Sequence, residues 1–189
     1  AVGTVATSGA YDVQILGSIR ANGTGTFANT GTLTLGAATG NTLRFGDNFT
    51  CNGPSALSLS GILTSFNNDK WIYIVPPTTL TNNSSMITTG TTDRIIIDST
   101  IDGGYNLSLT GSSAGLSGKI GSTTSLKKLS FLTDAVTISD NISLATPDTE
   151  ESIIVDTGNN LYVYNDLIIQ DSGKGSLKFN GEIDSSLTT

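Results

Sequence analysis

Apolar residues recur two apart along this chain, usually with a polar residue between them. The series reads Leu33-Thr34-Leu35, Leu43-Arg44-Phe45, Leu57-Ser58-Leu59, Ile72-Tyr73-Ile74, Ile95-Ile96-Ile97 and Leu107-Ser108-Leu109. It continues with Leu129-Ser130-Phe131, Val136-Thr137-Ile138, Ile153-Ile154-Val155, Leu161-Tyr162-Val163, Leu167-Ile168-Ile169 and Leu177-Lys178-Phe179. In a strand the outer pair of each triplet points to one face and the middle residue to the other. The middle residue is polar or Tyr in nine of these twelve triplets, so one face is dry and the other wet. Turn residues separate the triplets, as in "CNGP", "FNND", "DGG" and "DSGKG".

Several strands share an entry of glycine followed by one or two small or polar residues, as in "GTLTL", "GNTLRF", "GYNLSL" and "GSLKF". Triplet starts lie 6 to 23 residues apart, so no fixed period fits and a regular hexapeptide solenoid is excluded. Two all-β architectures remain. One is a right-handed parallel β-helix, a β-solenoid with irregular rungs. The other is an antiparallel β-sandwich, which Asn22-Gly23, Asn52-Gly53 and Asn180-Gly181 keep open as hairpin turns. Strands of three to five residues with only two inward side chains favour the solenoid, where aligned Leu, Ile, Val and Phe fill a narrow core. Residues 1–189 are then one solenoid domain; because "NGEIDSSLTT" stops inside a strand pattern, either the chain is a segment of a longer surface protein or its end pairs with a neighbour. Residues 69–92 break the pattern. Pro76 and Pro77 cannot donate ladder hydrogen bonds, so this segment is expected to be a loop or an excursion from the coil.

Composition narrows the function classes. The chain is 37% hydrophobic and only 13% charged, and Gly, Ser, Thr and Asn fill the difference, so almost no helix is expected. A net charge of −7 with nine basic residues argues against nucleic acid, and suits a surface exposed outside a cell. No apolar run approaches the ~20 residues of a membrane-spanning helix. The first residues show no signal peptide, and Ala1 is expected to follow processing or trimming. Cys51 is alone, which forbids an intrachain disulfide. There is no histidine, which removes the commonest general base and metal ligand.

The stretch "NLSLTGSSAGLSGKIGSTTSLKKLSF", Asn106 to Phe131, resembles the rungs of filamentous-haemagglutinin-like adhesins and autotransporter passengers of Gram-negative bacteria. The positions that carry the resemblance are Leu107, Leu109, Gly111, Ile120, Gly121, Leu126, Leu129 and Phe131. It implies that Leu126 closes a corner of a right-handed coil, that Lys127 and Lys128 face solvent, and that Leu129 and Phe131 start the next inward strand. Elsewhere the echoes are looser, as in "GTFANTGTLTLG", and the unit repeats less regularly than the family's.

No catalytic signature emerges. Asp98 and Asp102 lie four apart, and Asp134 and Asp140 flank a strand; aspartates on adjacent rungs ~4.8 Å apart could reach the carboxyl spacing glycosidases use. The simpler account is that these aspartates cap turns. "DNF", "NNDK" and "DSGKG" offer oxygen donors but match no calcium loop, and no metal or cofactor is implied. Thr24/Thr26 and Thr32/Thr34 have ice-binding spacing without a fixed rung period. The Asn-x-Ser/Thr sequons at Asn22, Asn48, Asn83, Asn106 and Asn141 arise readily in such a composition. Trp71, Tyr73, Tyr105, Tyr162 and Tyr164 could stack on sugar rings if exposed. Trp71, Tyr73, Tyr162 and Tyr164 form the candidate glycan or partner patch.

The expected function is a non-enzymatic structural or adhesive protein, extracellular or on a cell surface. A rigid β-rod would display a binding surface for a glycan or protein and self-associate into a fibre or layer. The alternatives are a carbohydrate-active β-helix enzyme and a glycan-binding β-sandwich module.

Overall fold

A computed structural model describes residues 3–145, 151–163, 168–172 and 176–184. Among the described residues the chain is all β, without helix, and every strand pairing is parallel. The antiparallel sandwich is thereby excluded, and the chain winds as a β-solenoid.

Each turn of the coil contributes to three ladders. The first stacks Val5–Gly9, Gly25–Asn29, Phe49–Cys51, Trp71–Ile74 and Arg94–Ile97, then the second halves of Asn106–Leu116, Lys128–Ile138 and Glu151–Val163. The second runs from Val13–Ile15 through Thr32–Leu35 and the first halves of Ala56–Ser65 and Thr78–Thr88 to Ile101–Asp102. Single bridges at Ile120 carry it on to Ile142–Leu144 and Ile169–Asp171. The third begins with Ile19–Ala21 and Thr42–Phe45 and continues through the second halves of Ala56–Ser65 and Thr78–Thr88. It then takes in the first halves of Asn106–Leu116, Lys128–Ile138 and Glu151–Val163.

The triplets do what their spacing predicts. Leu33, Leu35, Leu43, Phe45, Ile72, Ile74, Ile95, Ile97, Leu129 and Phe131 all point inward and are buried. On the first ladder Phe27, Cys51, Ile74, Ile97, Leu116 and Ile138 stand over one another, advancing 24, 23, 23, 19 and 22 residues at a time. The turn length varies because the corners vary, which is why no period is visible in the sequence. Three rings, Phe27, Phe45 and Phe49, pack together at centroid distances of 5.2 to 6.3 Å, filling the early part of the column.

Two expectations are corrected. Residues 69–92 do not leave the coil. Trp71–Ile74 pairs on both sides, and Thr78–Thr88 forms a full part of the second and third ladders. Pro76 and Pro77 sit at the corner between them, where no ladder donor is needed. There the Pro77 carbonyl accepts the Leu57 N–H at 2.9 Å. Strands are also longer than three to five residues. Ala56–Ser65 has 10 and Glu151–Val163 has 13, because one strand serves two ladders across a corner, with a register shift at the bend. Gly61 makes one such bend at φ +86°, in the left-handed region that a Cβ disfavours. These bent strands merge the ladders into one 16-stranded sheet, leaving Ile142–Leu144 with Ile169–Asp171 as a separate pair.

Polar side chains tie successive turns together. Asn29, fully buried at a corner, donates to the carbonyls of Tyr11 and Thr32 and accepts from the Thr7 hydroxyl at 2.8 Å. Aspartates repeat a second device. Asp12 accepts from Thr32, Asp69 from Thr91 and Thr92, Asp93 from Ser112, and Asp102 from Thr123 and Thr124, each through backbone N–H groups of the following turn.

The stretch "GKIGSTTSLKKLSF" now has a shape. Ile120 and Leu126 both occupy the second ladder, opposite Ile142 and Leu144 of the next turn. Residues 121–125 bulge outward between them. Gly121 starts the bulge at φ +71°, and a Cβ there would run into the Ser143 carbonyl. Leu126 is fully buried before the corner, while Lys127 and Lys128 are half-buried at the entry to the next strand.

Candidate functional site

A parallel stack turns a sequence offset of one turn into lateral contact. The outward residues of the first ladder therefore form files. One file reads Thr26, Thr50, Tyr73, Ile96, Gly115, Thr137 and Tyr162. Tyr73 and Tyr162 thus share a file four turns apart, about 19 Å at the usual strand spacing. In the adjacent file Trp71 stands opposite Arg94, and Arg94 opposite Ser113. Trp71 is 46% exposed, Arg94 is exposed, and Tyr73, Ile96 and Tyr162 are half-buried. Of the candidate patch, then, Trp71, Tyr73 and Tyr162 lie on one face. Tyr164 lies outside the described residues. Tyr105 sits at the corner after Ile101–Asp102, away from this face.

Two shallow hollows adjoin on this face, sharing Arg94 and Ile96. Asp69, Trp71 and Thr92 complete one, about 340 Å³ in volume. Ser113, Gly115 and Thr137 help line the other, about 330 Å³. Both are at the low end of small-ligand sites. The second exists because Gly115 contributes no side chain. A Cβ there would meet nothing within 4 Å, so the glycine opens the surface and no packing demands it. The Asp98 carboxylate lies beside Tyr73. Its hydrogen bond and its charge push the Tyr73 phenol above its ordinary value, and it accepts from the Ser117 hydroxyl at 3.2 Å. An indole, a phenol and an isoleucine beside a guanidinium and a carboxylate make a flat apolar floor with polar edges. That chemistry suits a sugar ring, which offers apolar C–H faces and hydroxyl rims.

Ile96 and Arg94 were missed as site residues. A signal was present: Ile96 is one of three apolar middle residues in the twelve triplets, with Ile154 and Ile168. An apolar residue in a wet position marks exposed apolar surface. Ile168 is 51% exposed and lines a further hollow with Lys119, Asn141 and Gln170 beside the 121–125 bulge.

Of these carboxylates, Asp102 and Asp140 take the turn-capping role. Asp98 ends a first-ladder strand, whereas Asp102 points out from the second ladder. There Asp102 Oδ1 receives the Thr123 and Thr124 N–H groups at 2.7 and 3.1 Å. Asp140 Oδ1 accepts the N–H of Asn141, one residue on. The paired arrangement a glycosidase needs is not formed by Asp98 and Asp102, which occupy different ladders. Among the described residues no group of three or more His, Cys, Asp and Glu side chains could hold a metal ion. Nor, among the described residues, is any helix long and apolar enough to cross a membrane. Compared with protein-family models, curated proteins and solved structures, the chain matches none.

Proposed function

We propose that this chain is a non-enzymatic structural or adhesive element, a β-rod that holds a recognition face outside the cell. The observation that carries the reading is the alignment of Trp71, Tyr73, Ile96 and Tyr162 on one outer face of a stack with a column of apolar side chains inside it. A solenoid is held by ladder hydrogen bonds along its length, so such a face is presented at little entropic cost. The ligand proposed for it is a saccharide, stacked on Trp71 and Tyr73 and hydrogen-bonded by Arg94 and Asp98. The resemblance of residues 106–131 to adhesin and autotransporter passenger rungs belongs to the same proposal, as do surface location and self-association into a fibre or layer.

Trp71 is the sole tryptophan, so its fluorescence reports on the face directly. Titration with neutral oligosaccharides is expected to shift its emission to shorter wavelength, and Tyr73→Ala is expected to weaken that response. An unchanged spectrum across a broad glycan panel would remove the saccharide reading. Sedimentation at rising concentration tests self-association, and a monomer throughout would remove that part.

A further inference from the structure

On the third ladder, the outward side chains of Arg20 and Arg44 lie opposite one another on adjacent turns. Like charges so placed repel, and surfaces usually interleave a carboxylate. Here, among the described residues, neither guanidinium has one. The nearby corner acid, Asp47, is taken by Lys70 at 3.3 Å and by the Asn48 N–H at 2.8 Å. Instead both arginines converge on a single ring. Their guanidinium carbons lie 4.8 and 5.1 Å from the centre of Phe66. Arg44 is half-buried, and its Nε is shut off from solvent without a hydrogen-bond partner.

The ring offsets part of the repulsion through a cation–π contact to each guanidinium. It also fixes where the two forks sit before any ligand arrives, which lowers the cost of binding. Two guanidiniums paired across adjacent turns hold more donors than the two oxygens of one carboxylate can use. A tetrahedral oxyanion can accept from both forks at once. We propose that Arg20, Arg44 and Phe66 form a binding site for a phosphate-type oxyanion, either free or carried on a small sugar. The site lies on the third ladder, apart from the saccharide face on the first, and stands or falls independently of it.

The chain has three arginines, Arg20, Arg44 and Arg94, so the third serves as an internal reference. Side-chain Nε–H resonances are followed by NMR during titration with inorganic phosphate, with ionic strength held constant by chloride. The Arg20 and Arg44 signals are expected to shift together and saturate, while Arg94 stays in place. Arg44→Lys keeps the charge but loses the fork, and is expected to weaken binding about tenfold or more. Arg20→Ala is expected to abolish the saturable shift at Arg44, with the backbone amide spectrum confirming that both variants are folded. Glucose 6-phosphate separates the sources: tighter binding than phosphate assigns a sugar-borne group, and equal binding a free anion. A non-saturating shift shared by all three arginines would overturn the site. So would an affinity for phosphate unchanged in both variants.

Discussion

A side chain on Gly25 would collide with Phe45: a Cβ there stands 2.6 Å from the ring carbons Cδ1 and Cε1. The two residues face each other across the core, Gly25 on the first ladder and Phe45 on the third. In an open strand Gly→Ala gains stability, since glycine loses the most freedom on folding. Here overpacking wins, and Gly25→Ala is expected to cost about 1–3 kcal/mol. Phe45→Leu added to it is expected to recover part of that loss, whereas a purely conformational penalty would persist. Denaturant midpoints of the two single variants and the double variant form the test.

Asp102 holds the 121–125 bulge through the N–H groups of Thr123 and Thr124. Asp102→Ala is expected to cost about 0.5–1.5 kcal/mol and to speed hydrogen exchange at those two amides. Asp102→Asn keeps an acceptor oxygen and should retain most of the protection. Equal exchange in all three proteins would show that the bulge holds without the carboxylate.

The Cys51 thiol is fully buried, and burial pushes its pKa up to about 12. Its unfolded value is near 9, so its contribution to stability is complete below pH 9 and is lost as pH rises toward 12. Unfolding midpoints between pH 8 and 11 are therefore expected to fall more steeply in the natural chain than in Cys51→Ala. Thiol labelling at neutral pH should follow the opening of the coil. Immediate labelling of the folded protein would contradict the packing.

Acid acts through the turn-to-turn aspartates. The Thr32 N–H and hydroxyl hold the Asp12 carboxyl below its ordinary value, and the N–H and hydroxyl of Thr92 lead the same effect at Asp69. Depressed pKa values mean that the stabilisation is present above the ordinary value of about 4 and is lost as pH falls through the lowered ones. The melting temperature is expected to drop between pH 4 and pH 2, and Asp12→Asn with Asp69→Asn should flatten that drop. A slope unchanged in the double variant would assign acid sensitivity elsewhere.

At the tyrosine end of the pH scale, Asp98 delays ionisation of Tyr73, whose ordinary pKa is 10. Asp98→Asn is expected to move one phenol to lower pH in an ultraviolet titration, and no change would separate the two side chains.

The inward pairs were legible because a period of two is local: Leu43 and Phe45 declare their shared face without help from elsewhere. The parallel coil was legible from their thinness and number. What escaped depends on partners about twenty residues away. Pro76-Pro77 reads as a break, and only the neighbouring turns show that a corner can absorb it. Arg20 and Arg44 are unremarkable 24 residues apart, and their convergence on Phe66 needs the register of three turns. Tyr73 and Tyr162 look unrelated until the stack aligns them.

Sequence order in this stack is also position along its axis, so charge becomes geography. Residues 1–95 balance Arg20, Arg44, Lys70 and Arg94 against Asp12, Asp47, Asp69 and Asp93, leaving the whole −7 to residues 96–189. The coil is consequently electrically lopsided from one end to the other. An anion drifting toward it meets repulsion at one half and neutrality, with two waiting guanidiniums, at the other.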